Sequence, residues 1–234
     1  MSMFNGFNQE GLTFLQQLSR NNDKEWFEEH RHIYEKELLK PFRELVTALS
    51  NDMIAIDDLF EVSPAVGKTL SRMHRDTRFS HDKSPYRSNI WLTFKRARKN
   101  WTDAPTYFFE IGPDWWRYGL GYYSASRNTM NLFREKLANN PTDFFQRVNP
   151  VLSTFEVDGE SYKRPLIKDM PEELALWYNK KSLALISNHQ NMDTLFSSDL
   201  IAMLAGDFKK LSPLYQFLMQ IEVEKKNQQL TSFS

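Results

Sequence analysis

One run of this chain concentrates most of its chemically useful side chains: Arg72-Met73-His74-Arg75-Asp76-Thr77-Arg78-Phe79-Ser80-His81-Asp82-Lys83-Ser84-Pro85-Tyr86-Arg87. Guanidinium, ammonium, imidazole, carboxylate and hydroxyl groups alternate here in a density that a packed core does not need. Such a set suits an oxyanion. Arg75, Arg78, Lys83 and Arg87 supply positive charge, and a guanidinium can meet the two oxygens of a phosphate or carboxylate at once. Thr77 and Ser84 add hydroxyl donors. Asp76 and Asp82 are placed to orient the arginines, and Tyr86 to close the edge. His74 or Asp76 is the candidate acid or base if the cluster does catalysis, with His81 as a further imidazole. A plainer reading uses the same residues: Asp76 and Asp82 pair with Arg75 and Arg78 and merely fix the shape of a loop.

The charge distribution supports looking here. The formal net charge is zero, so the chain as a whole has no field to attract a polyanion. Residues 68–99 nevertheless hold ten of the thirty Lys and Arg and only two acids, Asp76 and Asp82. Residues 23–61 hold eleven acids and five bases. A basic middle and an acidic N-terminal region either pair with each other or leave the basic part facing an anion.

Several chemistries lack support. There is no cysteine, so disulfides, thiolate ligands and thiol nucleophiles are excluded. There is no G-x-S-x-G, no glycine-rich phosphate loop and no H-E-x-x-H. His74, Asp76, His81 and Asp82 have metal-ligand types but no metal-ligand spacing, and no metal is expected. His30 and His32 sit two apart on a helix and point different ways. Lys95-Arg96-Ala97-Arg98-Lys99 with Trp101 is a short basic tip. It reads as a solvated turn before it reads as a nucleic-acid footprint. No apolar run is long enough for a bilayer crossing. Met1-Ser2-Met3-Phe4-Asn5-Gly6 has neither the basic nor the apolar region of a secretion signal, and a cytoplasmic location is expected.

The elements that would carry the cluster follow from periodicity. Leu12, Phe14, Leu15 and Leu18 mark a helix over 8–20 with Asn8 as cap; Asn21-Asn22-Asp23 ends it and caps the next. Trp26, Phe27, Ile33, Tyr34 and Leu38 continue at helical spacing to Pro41, which should kink or restart the helix before it runs to about Met53. The middle alternates with period two: Ile90, Leu92, Phe94; then Tyr107, Phe109, Ile111; then Trp116, Tyr118, Leu120. Thr69–Arg75 is expected to be a strand beside them, with Arg72, His74 and Asp76 on one face and 77–86 as the following loop. Of Trp115 and Trp116, one ring should point inward and the other outward. Ser126 or Asn128 begins a helix to about Ala138, and Pro141 starts another. Residues 155–163 are expected to form a hairpin about Asp158-Gly159, residues 182–187 a strand, and residues 197–226 a helix interrupted near Gly206 and Pro213.

Asn21-Asn22 with Glu25-Trp26-Phe27, His30 and Tyr34 resembles the opening of a widespread bacterial and fungal family. Arg75-Asp76-Thr77-Arg78-Phe79-Ser80 with Asp82-Lys83-Ser84-Pro85-Tyr86 resembles its most distinctive block. Gly119-Leu120-Gly121-Tyr122, Arg134, Lys163-Arg164-Pro165 and Lys180-Lys181 resemble later ones. Arg87 stands where the family has Lys. The family is catalogued as a domain of unknown function, so the resemblance implies an α+β fold and assigns no catalytic residue.

Together these readings give one α+β domain over residues 1–234, an antiparallel sheet flanked by helices, with helical segments at both ends. The expected activity is binding of a small anionic or phosphorylated ligand by Arg75, Arg78, Asp82, Lys83, Tyr86 and Arg87, with Glu110 as a further partner. Two alternatives remain open. One is a hydrolase or phosphoryl-processing enzyme using His74 or Asp76; the other is a nucleic-acid-associated module using the 95–99 tip. No cofactor and no oligomeric state are assigned.

Overall fold

The computed structural model describes residues 3–78 and 81–231; Phe79 and Ser80 of the charged run lie outside them. The fold is α+β, with a five-stranded antiparallel sheet and helices at both ends. The strands are β1 (Ile90–Phe94), β2 (Thr106–Ile111), β3 (Trp116–Gly121), β4 (Glu156–Asp158) and β5 (Ala184–His189), in the order β1-β2-β3-β5-β4. The chain divides into two compact units. One comprises residues 1–94, 108–118 and 188–207, the other residues 95–107, 119–187 and 208–234.

The first unit carries the charged run. Helix α1 (Gln9–Arg20) starts where the Asn8 side chain accepts the Gly11 amide at 3.0 Å, and α2 (Lys24–Ile33) where Asp23 accepts the Trp26 amide at 2.9 Å. Each cap satisfies one of the amides that a helix start leaves without a partner. A π-helical turn, Tyr34–Leu39, leads into α3 (Lys40–Ile56), with Pro41 in the first turn of α3. The expected kink or restart at Pro41 thus takes the form of a wider turn just before it, inside a continuous helical run. Phe14, Leu15, Leu18, Phe42, Leu45, Val46, Leu49 and Met53 are buried. Phe7 packs on Phe42 at 4.9 Å and on Phe109 at 5.9 Å between ring centres.

The period-two runs become strands as expected. Ile90, Leu92 and Phe94 of β1, Phe109 and Ile111 of β2, and Trp116 and Tyr118 of β3 are all buried. Trp116 is the inward ring of its pair, and Trp115, half-buried, lies under the Arg117 guanidinium at 5.2 Å.

Residues 69–75 do not form a continuous strand. They pair through isolated bridges, Leu70 with Leu92 and His74 with Tyr86. Around the first bridge Ser71 donates to the Trp91 carbonyl and Thr93 to that of Thr69; around the second Arg75 donates to Pro85 and Arg87 to Met73. The alternation of sides survives from Ser71 onward, since Ser71 and Met73 are buried while Arg72, His74 and Asp76 are exposed.

In the second unit α4 (Arg127–Asn139) is capped by Ser126, and α5 (Pro141–Val148) by Asn140. Phe144 meets Trp177 of α6 (Glu172–Tyr178) at 4.8 Å, and Phe217 at 5.1 Å. Gly119 has no room for a side chain, because a Cβ there would stand 1.9 Å from the Leu185 carbonyl oxygen. Two expectations fail. Residues 155–163 are not a hairpin; β4 pairs antiparallel with β5, Val157 opposite Leu185. The C-terminal helix is not interrupted at Gly206. Helix α7 (Asp199–Lys210) runs through it, α8 (Ser212–Thr231) begins after Leu211, and Pro213 falls in the first turn of α8, where proline is tolerated.

Candidate functional site

The charged run folds back on itself at the His74–Tyr86 bridge. In an antiparallel pair, a residue between two hydrogen-bonded neighbours turns its own amide and carbonyl away from the partner segment. At Tyr86 both are taken by one side chain from the α1–α2 link. Asn22 Oδ1 accepts the Tyr86 amide at 2.9 Å, and Asn22 Nδ2 donates to the Tyr86 carbonyl at 3.0 Å. The Tyr86 ring then stacks on Phe27 of α2, with centres 4.2 Å apart and planes 11° from parallel. Tyr86 is 1% exposed, and its hydroxyl is buried with no hydrogen-bond partner among the described residues. Burial raises the pKa of that phenol.

This clip closes one wall of an open-sided cavity of about 320 Å3. Its lining is polar: Ser19 and Asn22 from the end of α1 and the link, then Arg75, Asp82, Ser84, Tyr86, Arg87, Ser88 and Asn89. Arg75 pairs with Asp82 through Nη1. Arg87 also uses Nη1, donating to the His74 carbonyl at 2.8 Å, while its guanidinium lies over Trp91 at 5.0 Å. Among the described residues neither Arg75 nor Arg87 has an acceptor at Nε or Nη2, the edge whose two parallel N–H bonds match a two-oxygen group. Behind the cavity Asn89 donates to buried Glu110, which also accepts Arg117 Nε at 2.7 Å.

Asp82 accepts the Ser84 amide at 2.9 Å. The Ser84 hydroxyl and amide, with the Arg75 guanidinium, pull its pKa down to about 2. Asp76 is likewise held at about 2, chiefly by Arg78, which grips it through Nε at 2.9 Å and Nη2 at 2.6 Å. Both carboxylates are therefore ionised throughout the neutral range.

Of the residues singled out in the sequence, Arg75, Asp82, Tyr86 and Arg87 line the cavity together with Ser84. Arg78 and Lys83 do not: Arg78 turns to Asp76, and Lys83 Nζ donates to the Thr77 carbonyl at 2.9 Å. His74 and Asp76 are also outside the lining, with the His74 ring 4.6 Å from that of Tyr86. Ser19, Asn22, Ser88 and Asn89 enter the lining without having been singled out for it. Asn22 had a signal of another kind, as the break between two helices; the other three had none.

The other candidate regions are occupied differently. At the basic tip, Lys95 lies 4.7 Å over Trp101 and Arg98 is paired with buried Glu222 at 2.5 Å. His30 stacks on Trp26 at 4.1 Å. Among the described residues no group of three or more His, Asp and Glu is arranged to hold a metal ion. A hollow of about 500 Å3 beside α5, lined by Pro141, Phe145 and Pro150, has Glu173 as its one charged group.

The model of a family described as a conserved hypothetical protein, DUF2461, matches residues 10–217. The chain belongs to this family. The match takes in α1, the Asn22 clip, the whole charged run and the sheet, so every residue of the cavity lies inside the DUF2461 region. No curated protein matches the chain. No helix among the described residues is long and apolar enough to cross a membrane.

Proposed function

We propose that this DUF2461 protein binds a small anionic or phosphorylated ligand in the cavity bounded by Arg75, Ser84 and Arg87. The observation that carries the reading is the pair of guanidiniums lining one polar cavity, each anchored through Nη1 and each keeping the Nε–Nη2 edge without an acceptor among the described residues. Anchoring matters because a fixed arginine loses little side-chain freedom when an anion arrives. Asp82 positions Arg75; the carbonyl of His74 and the ring of Trp91 position Arg87. Ser84 and Ser88 bring hydroxyls to the same space. Arg78 and Lys83 shape the loop in this reading and leave binding to Arg75 and Arg87.

Calorimetric titration with inorganic phosphate tests it. Charge-assisted hydrogen bonds contribute about 1.5–3 kcal/mol each. Arg75→Ala and Arg87→Ala should each weaken binding by roughly ten- to hundredfold, while Arg78→Ala should leave it within about twofold. Equal losses in all three variants would mean a diffuse basic surface in place of a site.

A further inference from the structure

The charges in the cavity wall are not those of a site built for a bare anion. The lining holds two guanidiniums and one carboxylate, Asp82, whose side chain is 54% exposed. An ionised carboxylate offers about four acceptor positions. Among the described residues Asp82 accepts the Ser84 amide at Oδ1 and Arg75 Nη1 at Oδ2, so each oxygen of this half-exposed carboxylate keeps an acceptor position. A ligand that is only anionic would set its negative oxygens against that carboxylate at a cost in affinity. A ligand that carries a donor cation beside its anionic head would use both signs.

Resting on the anion-binding reading above, we infer that the ligand class is the small zwitterion: a carboxylate or phosphate held by Arg75 and Arg87, with a protonated amine one or two carbons away held by Asp82. Size and polarity agree. About 320 Å3 corresponds to roughly ten waters at about 30 Å3 each, which is room for a molecule of that order. Of the nine lining residues only Tyr86 is largely apolar, so nothing in the wall favours a long hydrocarbon tail. The two arginines fix the head, and the Asp82–Arg75 pair fixes the distance at which the amine is read. Selectivity then comes from the acceptor positions of Asp82 that Arg75 and Ser84 do not use: an amine-free analogue leaves them unfilled beside its own negative oxygens, and an anion-free amine meets two guanidiniums.

Calorimetry on the full chain with two matched pairs decides the matter: L-alanine against propionate, and phosphoethanolamine against ethyl phosphate. The amine-bearing member should bind at least tenfold tighter in one pair; Asp82→Asn, which also loosens Arg75, should weaken both members and bring them to within about twofold of each other. Should the variant not fold, the comparison on the unaltered protein decides alone. If an amine-free member binds and neither pair shows a margin, the zwitterion inference is overturned and the anion reading stands. If none of the four ligands nor inorganic phosphate binds, both are overturned.

Discussion

Asn22 should matter far more to this fold than its neighbour Asn21. The perturbation is Asn22→Ala. It removes an acceptor 2.9 Å from the Tyr86 amide and a donor 3.0 Å from the Tyr86 carbonyl. Each backbone group left without a partner away from water costs about 1–3 kcal/mol. Asn22 is half-buried and Tyr86 is buried, so water reaches the pair only in part, and the two losses together come to about 3 kcal/mol. For a chain of this length, each kcal/mol lowers the melting temperature by about 2–4 °C, giving a drop of about 6–12 °C. Asn21→Ala removes one exposed bond, from Asn21 Nδ2 to the Gln17 carbonyl at 3.0 Å, and should cost under about 1 kcal/mol. Thermal unfolding by circular dichroism reads both variants, and hydrogen exchange reads the Tyr86 amide directly. Equal melting shifts for the two variants, or a Tyr86 amide that stays protected in Asn22→Ala, would refute the reasoning that one side chain holds the charged run to α1 and α2.

Three further outcomes follow from the packing and the charges. Lys225 donates to Asp103 and to Glu222; Glu222 keeps Arg98, but Lys225→Met leaves the Asp103 carboxylate without its cation and should cost about 3 kcal/mol by urea denaturation. Gly119→Ala drives a methyl into the Leu185 carbonyl and should cost more than about 3 kcal/mol or prevent folding; a near-neutral result would mean that β3 and β5 move apart freely. Asp76 and Asp82 both titrate near 2 in the folded chain, below the ordinary 3.8, so their contribution is complete above the unfolded value and is lost as pH falls from about 4 through about 2. Carbon-detected NMR of the two carboxyls should give midpoints near 2, and midpoints near 3.8 would deny the Arg78 and Ser84 contacts.

Local pattern made much of this fold legible, and it failed where partners are distant in sequence. Asn8, Asp23, Ser126 and Pro141 were readable because a helix start depends on the next three residues. The strands 90–94, 106–111 and 116–121 were readable because their large apolar side chains recur with period two; that most of the other face is buried as well could not be read. Asp158-Gly159 looked like a hairpin turn, and Gly159 does adopt φ 121°, but β4 takes its partner from residues 184–186, a choice no local signal encodes. The segment 69–75 has strand-like alternation and pairs only at two bridges; the alternation could be read, but the extent of the ladder could not. The cluster's composition pointed to 72–87 as a whole. Which arginines line the hollow depended on where α1 ends, because Asn22 and Ser19 bring its far wall from more than fifty residues away.

The most direct measurement is a phosphate titration followed through the arginine Nε–H signals in 1H–15N spectra. The account predicts saturable shifts at Arg75 and Arg87 with one shared affinity, and an Arg78 signal that stays in place. Shifts that never saturate, or that appear at Arg78 as strongly as at Arg75, would contradict it.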